Sequence, residues 1–225
     1  MKAAPRTNPD SLSVPADMVA IFTRPQWALL LAPFYLNDLA NIWLHDPVWW
    51  LLQDYGCRLV ILGCLVFQIR RHRWAAAIMR VQAAPWPTLV LWTVSATAGA
   101  LVLIPGPGSL LLTFLPETRL GSVPEIPGNG LHLLDLTAGL ALVSLTEELV
   151  FRGALQVRLA LFFRSEVAGV IAASVLFGLI HWSNGVGSVI QTTLVGLWFG
   201  LCVRRSRSLI PVIIAHYVAD MLVFL

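Results

Sequence analysis

Residues 131–163 read LHLLDLTAGLALVSLTEELVFRGALQVRLALFF, the longest apolar stretch of the chain, and it carries Asp135, Glu147, Glu148, Arg152 and Arg158 inside it. A hydrocarbon core roughly 30 Å thick takes about 20 apolar residues per spanning helix. Ionisable groups in such a helix cost about 2.5–3.5 kcal/mol each on insertion scales, so each calls for a partner or a function.

The remaining sequence has the same character. Of 225 residues 57% are hydrophobic and 12% charged, and the mean hydropathy is +0.76. A soluble domain carries about twice that charged fraction. The apolar runs 27–44, 48–69, 88–104, 167–182, 186–203 and 209–225 flank the central stretch, which predicts an all-α, polytopic membrane helix bundle of seven or eight transmembrane helices. An eighth helix is compatible with 74–86, which reads as an amphipathic connector, or with 105–130, which holds five prolines and five glycines.

The net charge of +3 comes from fourteen arginines and one lysine against twelve acids. Arginines cluster at 70–73, 152–164 and 204–207, between apolar runs. Under the positive-inside rule these loops are cytoplasmic, which gives an N-in chain with the loops near 46, 105–130 and 183–186 outside. No soluble basic face exists to bind nucleic acid. Cys57, Cys64 and Cys202 lie in apolar runs without metal-like spacing and read as small buried hydrophobes. Residues 1–24 form a polar tail without the apolar core of a cleavable signal peptide, so a cytoplasmic tail is expected there. It is followed by N-terminal transmembrane helices and a loop over 25–130 and a C-terminal core over 131–225.

Three groups of polar residues fall on separate C-terminal helices: Glu147-Glu148 with Arg152, then Phe177 with His181, then His216 with Asp220. Positions four apart share a helix face, while adjacent ones point about 100° apart. Glu148 therefore pairs with Arg152 and leaves Glu147 free to act, Phe177 packs against His181, and His216 shares a face with Asp220. In the second apolar run Asp54 and Arg58 are also four apart and read as a neutralising ion pair. A helical rise of 1.5 Å per residue places His181 roughly 21 Å and His216 roughly 11 Å from the inner ends of their spans. Glu147 would lie roughly 24 Å from the outer face if its helix began at 131, too far from His181. The embedded part is thus expected nearer 138–162, with Arg152 buried among the glutamates. Hydrolysis, a proton relay or structural polar packing could each use such a cluster, and spacing alone does not separate them.

The three motifs, Glu147-Glu148-x-x-x-Arg152, Phe177-x-x-x-His181 and His216-x-x-x-Asp220, resemble in order those of the CPBP family, the CAAX prenyl protease and Abi group of intramembrane endopeptidases. The resemblance spans about residues 131–225 and implies proteolysis of a membrane-associated or lipid-modified protein in a cell membrane. It implies Glu147 as general base, His181 as water-binding and activating, His216 and residue 220 as oxyanion stabilisers, and Glu148, Arg152 and Phe177 as support. A carboxylate shielded from water is suited to taking and returning a proton near neutral pH. Members of the family have been described both as glutamate-dependent and as metalloproteases. A zinc ion held by Glu147, His181 and His216 is the alternative to a cofactor-free reaction, although the sequence lacks a His-Glu-x-x-His helix. The third motif departs from the commoner pattern, with Asp220 where Asn is usual. An ionised carboxylate would repel an oxyanion, so Asp220 is expected to be protonated, to orient His216, or to help hold a cation.

Overall fold

In the computed structural model, which describes residues 24–72, 79–104, 118–128 and 130–225, seven helices carry the chain and no strand occurs among the described residues. They are α1 (Arg24–Trp43), α2 (Pro47–Arg71), α3 (Trp86–Leu103), α4 (130–163), α5 (Glu166–Leu179), α6 (Val186–Ser206) and α7 (Ile210–Phe224). Three of them, α2, α3 and α6, are long and apolar enough to cross a membrane, and α5 and α7 are shorter apolar helices. The expected tail over 1–24 falls almost wholly outside the described residues, as do 74–78 of the 74–86 connector and 105–117 and 129 of the 105–130 loop.

Local chemistry sets the ends of these helices. Asp46 caps α2 by accepting hydrogen bonds from the Val48 and Trp49 amides at 2.9 and 3.0 Å, with Pro47 just inside. Ser165 caps α5 through the Ala168 amide at 3.2 Å. At the far end of α5 the chain turns through His181 and a short 3₁₀ segment, Trp182–Asn184, and Gly185 supplies the φ of +91° that starts α6. Helix α4 is not uniform. It widens into π-helical turns at Asp135–Gly139 and Leu149–Leu155, and turns of this kind recur where side chains must be re-aimed.

Packing follows membrane rather than soluble logic. On α3 the small Ala96 and Ala100 are fully buried, whereas Leu91, Val94 and Val102 are more than half exposed. Small residues let helices approach closely while large apolar ones meet lipid. The same reason places Gly99 under Trp198 of α6, whose indole donates to the Ser95 carbonyl at 3.1 Å. At Gly178 a Cβ would overlap Thr193 Oγ1, so glycine there allows α5 and α6 to touch. Helix α5 packs against both α4 and α6, α7 lies on α3 and on Leu140–Glu148 of α4, and α1 pairs with α2.

These contacts settle the question of depth. Counted from the end of α4 at Phe163, Glu147 lies about 24 Å along the helix, and His181 lies about 22 Å from the start of α5, so the two stand level. Helix α7 begins deeper than its neighbours: a Cβ on Gly153 would sit 3.0 Å from Leu209 Cδ1. That seating raises His216 to the glutamates, which a count from the end of α7 alone understates. Helix α4 starts at Gly130, but Arg152 is buried as expected.

Candidate active site

Glu147 and Glu148 are both buried and, being adjacent, point to different partners. Glu148 Oε1 meets Arg152 Nη1 at 2.9 Å, the pair expected from their spacing, and also His216 Nδ1 at 2.8 Å. Arg152 further lays its guanidinium over the Phe177 ring, Cζ to centroid 4.0 Å, a favourable cation–π contact away from water. Phe177 in turn meets the His181 ring edge-on at 5.4 Å and the His216 ring at 6.1 Å. One aromatic ring thus spaces the two imidazoles. Gly196 of α6 makes room for this stack, since a Cβ there would come within 3.1 Å of both Arg152 Nη2 and Phe177.

The two histidines are held in different ways. His181 Nδ1 lies 3.2 Å from the Phe177 carbonyl, which can only accept. In the neutral ring Nδ1 therefore carries the hydrogen, and Nε2 keeps its lone pair. His216 presents both nitrogens to acids: Nδ1 to Glu148, and Nε2 to Asp220 Oδ2 at 3.3 Å and to Glu147 Oε2 at 3.8 Å. A ring so placed is suited to donate from both nitrogens. The four-residue pairing of His216 with Asp220 is present as expected.

The expectation that Glu147 stands unpaired is corrected. Its Oε1 accepts from Arg58 Nη1 at 2.9 Å. Arg58 also donates from Nε to both Asp54 oxygens at 2.9 and 3.0 Å, so its guanidinium bridges an acid of α2 and an acid of α4. The Asp54–Arg58 pair read from spacing exists, but it belongs to the site. A carboxylate buried this deeply needs a countercharge, and the nearest on its own helix, Arg152, is committed to Glu148.

A second contribution comes from α1. Asp38 accepts from the Ser183 amide at 2.6 Å and the Ser183 hydroxyl at 2.8 Å. Asn41 donates to Asp38 at 3.2 Å and to the Ser183 hydroxyl at 3.0 Å, and accepts from the Trp50 indole at 2.8 Å. This network ties the turn carrying His181 to α1 and α2. The polar interruptions of the first apolar run at Asn37, Asp38 and Asn41 were its only trace in the sequence.

Glu147, His181, His216 and Asp220 line one cavity of about 820 Å³, together with Asp38 and Arg58. Glu148 and Arg152 are buried behind its wall. Among the described residues no group of three His, Cys, Asp or Glu side chains is arranged to hold a metal ion. A cation held by Glu147, His181 and His216 would share the Glu147 carboxylate with Arg58 and would take His216 Nε2 from Asp220.

An apolar helical bundle that gathers acids and imidazoles on one internal cavity has the character of a membrane protein with an ionisable site among its helices. Residues 129–222, a little over two fifths of the chain and nearly all of α4–α7, match the family model of Type II CAAX prenyl endopeptidase Rce1-like proteins. That similarity supports an intramembrane protease, a hydrolase acting on membrane-associated protein. No curated protein and no solved structure matches the chain.

Proposed function

We propose that this protein is an intramembrane endopeptidase that hydrolyses a peptide bond in a membrane-associated or lipid-modified protein, with Glu147 as the base that activates water. The observation that carries this reading is the shared cavity, where Glu147 and His181 face one space and the His216–Asp220 pair adjoins it. In the reaction, a water held between Glu147 Oε2 and the free Nε2 of His181 gives a proton to Glu147 as its oxygen bonds to the substrate carbonyl carbon. The oxyanion so formed accepts a hydrogen bond from the Nε2–H of His216, displacing Asp220 Oδ2 as its acceptor. Collapse of the tetrahedral species breaks the C–N bond, and Glu147 returns its proton to the leaving amine.

The supporting residues have defined tasks in this scheme. Glu148 and Arg152 hold His216 and Phe177 in place, and Arg58 orients Glu147 while offsetting its charge. Asp220 is assigned to orient His216 by accepting from its Nε2 until the oxyanion takes that hydrogen bond over. No cofactor is assigned to the step, and the Arg58–Glu147 pair supports that choice over zinc. A cell membrane is the proposed location, with the N-terminus cytoplasmic.

The test is comparative C-terminal proteomics of membrane proteins in cells carrying the wild type, Glu147→Gln or His181→Ala. New termini present with the wild type and absent with both variants are expected. Identical sets in all three would remove the protease reading. Purified enzyme stripped of metal is expected to retain cleavage, and loss with recovery on adding Zn²⁺ would restore the metal alternative.

A further inference from the structure

The two ends of the bundle differ in charge and in closure. One end gathers Arg70, Arg71, Arg80, Arg164 and the arginines at 204, 205 and 207, where α2, α4 and α6 finish and α5 and α7 begin. This end is sealed. Arg204 and Arg80 meet Glu166 at 2.8 and 3.5 Å, the Leu209 amide donates to the Arg80 carbonyl at 2.9 Å, and Ser208 Oγ donates to the Gln82 carbonyl at 2.8 Å. Met79 and Leu209 beneath are fully buried.

Among the described residues, none from that end lines the cavity. Its floor is at Phe199 and His216, and its walls rise past Glu147 and His181 to Asn184, Ser122, Glu125 and Phe224. These last residues lie at the ends of α5 and α7 and in the segment before α4, on the opposite side of the bundle. Among the described residues of that side, Arg119 is the single arginine, against Asp46, Glu125 and Asp135.

Arginine excess marks the cytoplasmic ends of membrane helices. We infer that the site is entered from the extracytoplasmic face, and that its substrate is a membrane-anchored protein whose cleaved segment lies outside the cytoplasm. This rests on the protease reading for the word substrate, but the direction of entry stands on charge and closure alone. A chain lipidated and retained on the cytoplasmic leaflet would meet the sealed arginine-rich end instead.

The test uses single cysteines at the two ends of the full-length protein. Ser122→Cys sits at the mouth and Ala83→Cys beside the sealed end, both at exposed, uncharged positions. They are placed in a background with Cys57, Cys64 and Cys202 replaced by alanine, or in the wild-type background with labelling read as the excess over wild type. In intact spheroplasts a membrane-impermeant maleimide is expected to label S122C and not A83C, and in inverted vesicles the pattern reverses. Labelled S122C spheroplasts should also lose the termini that depend on Glu147. Labelling of A83C from outside, with S122C reached only in inverted vesicles, overturns the inference. If S122C labels from outside while wild type and Glu147→Gln give the same termini, the direction of entry holds and the protease reading fails.

Discussion

The N-terminal helices α1 and α2 and the C-terminal helices α4–α7 contribute to the site in opposite ways. The C-terminal helices supply the groups that can act on a substrate, at spacings that recur within one helix face. The N-terminal helices supply groups that act on those groups: Arg58 bridges Glu147 to Asp54, and Asp38 grips the turn after His181. The family match begins at residue 129 and so includes neither. Reactive side chains in a low-dielectric interior require countercharges and hydrogen-bond partners that their own helices lack room to provide. Here those partners arrive from a part of the chain that carries no recognisable motif.

The largest expected effect tests the C-terminal side of this comparison. Glu147→Gln keeps the shape of the side chain but removes the base, and general-base catalysis is worth about 10²–10⁴-fold. Cleavage by the purified protein should fall by that order while its melting temperature changes less. Wild-type turnover by Glu147→Gln would transfer the role of base elsewhere. Next comes Arg58→Met on the N-terminal side. Removing one member of a buried ionic group leaves Asp54 and Glu147 uncompensated, an effect of about 3–5 kcal/mol. Thermal unfolding in detergent should show the loss, and cleavage should fall with it. Arg58→Lys restores charge but not the fork that spans two carboxylates, so it should recover stability more than activity. Unchanged cleavage and stability in Arg58→Met would make the N-terminal helices mere packing.

The difference between the two regions also explains what could be read from the sequence. The helices were legible within a few residues because lipid demands long apolar runs, and the pairs Glu148–Arg152 and His216–Asp220 were legible because four-residue spacing fixes a shared face. The Glu147–Arg58 and Asp38–Ser183 contacts were not, since each joins helices far apart in sequence and no periodicity reports how helices are rotated about one another. Asp54 and Arg58 satisfied one another on paper and so gave no sign of an unfilled need. The level of His216 relative to Glu147 was not legible for a related reason: α7 is seated on Gly153 within the bundle, and helix length alone does not show where a helix begins across the membrane.

A smaller effect is expected at Asp38. Asp38→Ala leaves the buried Ser183 amide without its acceptor, which costs roughly 1–3 kcal/mol. The turn holding His181 should loosen, so kcat should drop more than KM rises, while Ser183→Ala, which spares the amide bond, should have the milder effect. Equal losses from the two variants would show that the hydroxyl, not the amide, anchors the turn. If neither variant alters kcat, α1 holds the helices together without positioning His181.

The smallest effect is expected at the sealed end. Glu166 lies among Arg80, Arg204 and Arg207, at 3.5, 2.8 and 3.6 Å, with its side chain 20% exposed and that of Arg207 63% exposed. Ion pairs with this much solvent contribute up to about 1 kcal/mol. Burial and then the neighbouring Arg207 already push the Arg80 pKa down, with Glu166 opposing them. Glu166→Gln removes that opposition and leaves three guanidinium groups to repel one another, so a slight loss of stability, deepest at low salt, should follow. Cleavage should be unaffected, because no described residue of this end lines the cavity. A marked loss of cleavage at unchanged stability would mean that the arginine-rich end communicates with the site, and the division between a sealed end and a working end would have to be withdrawn.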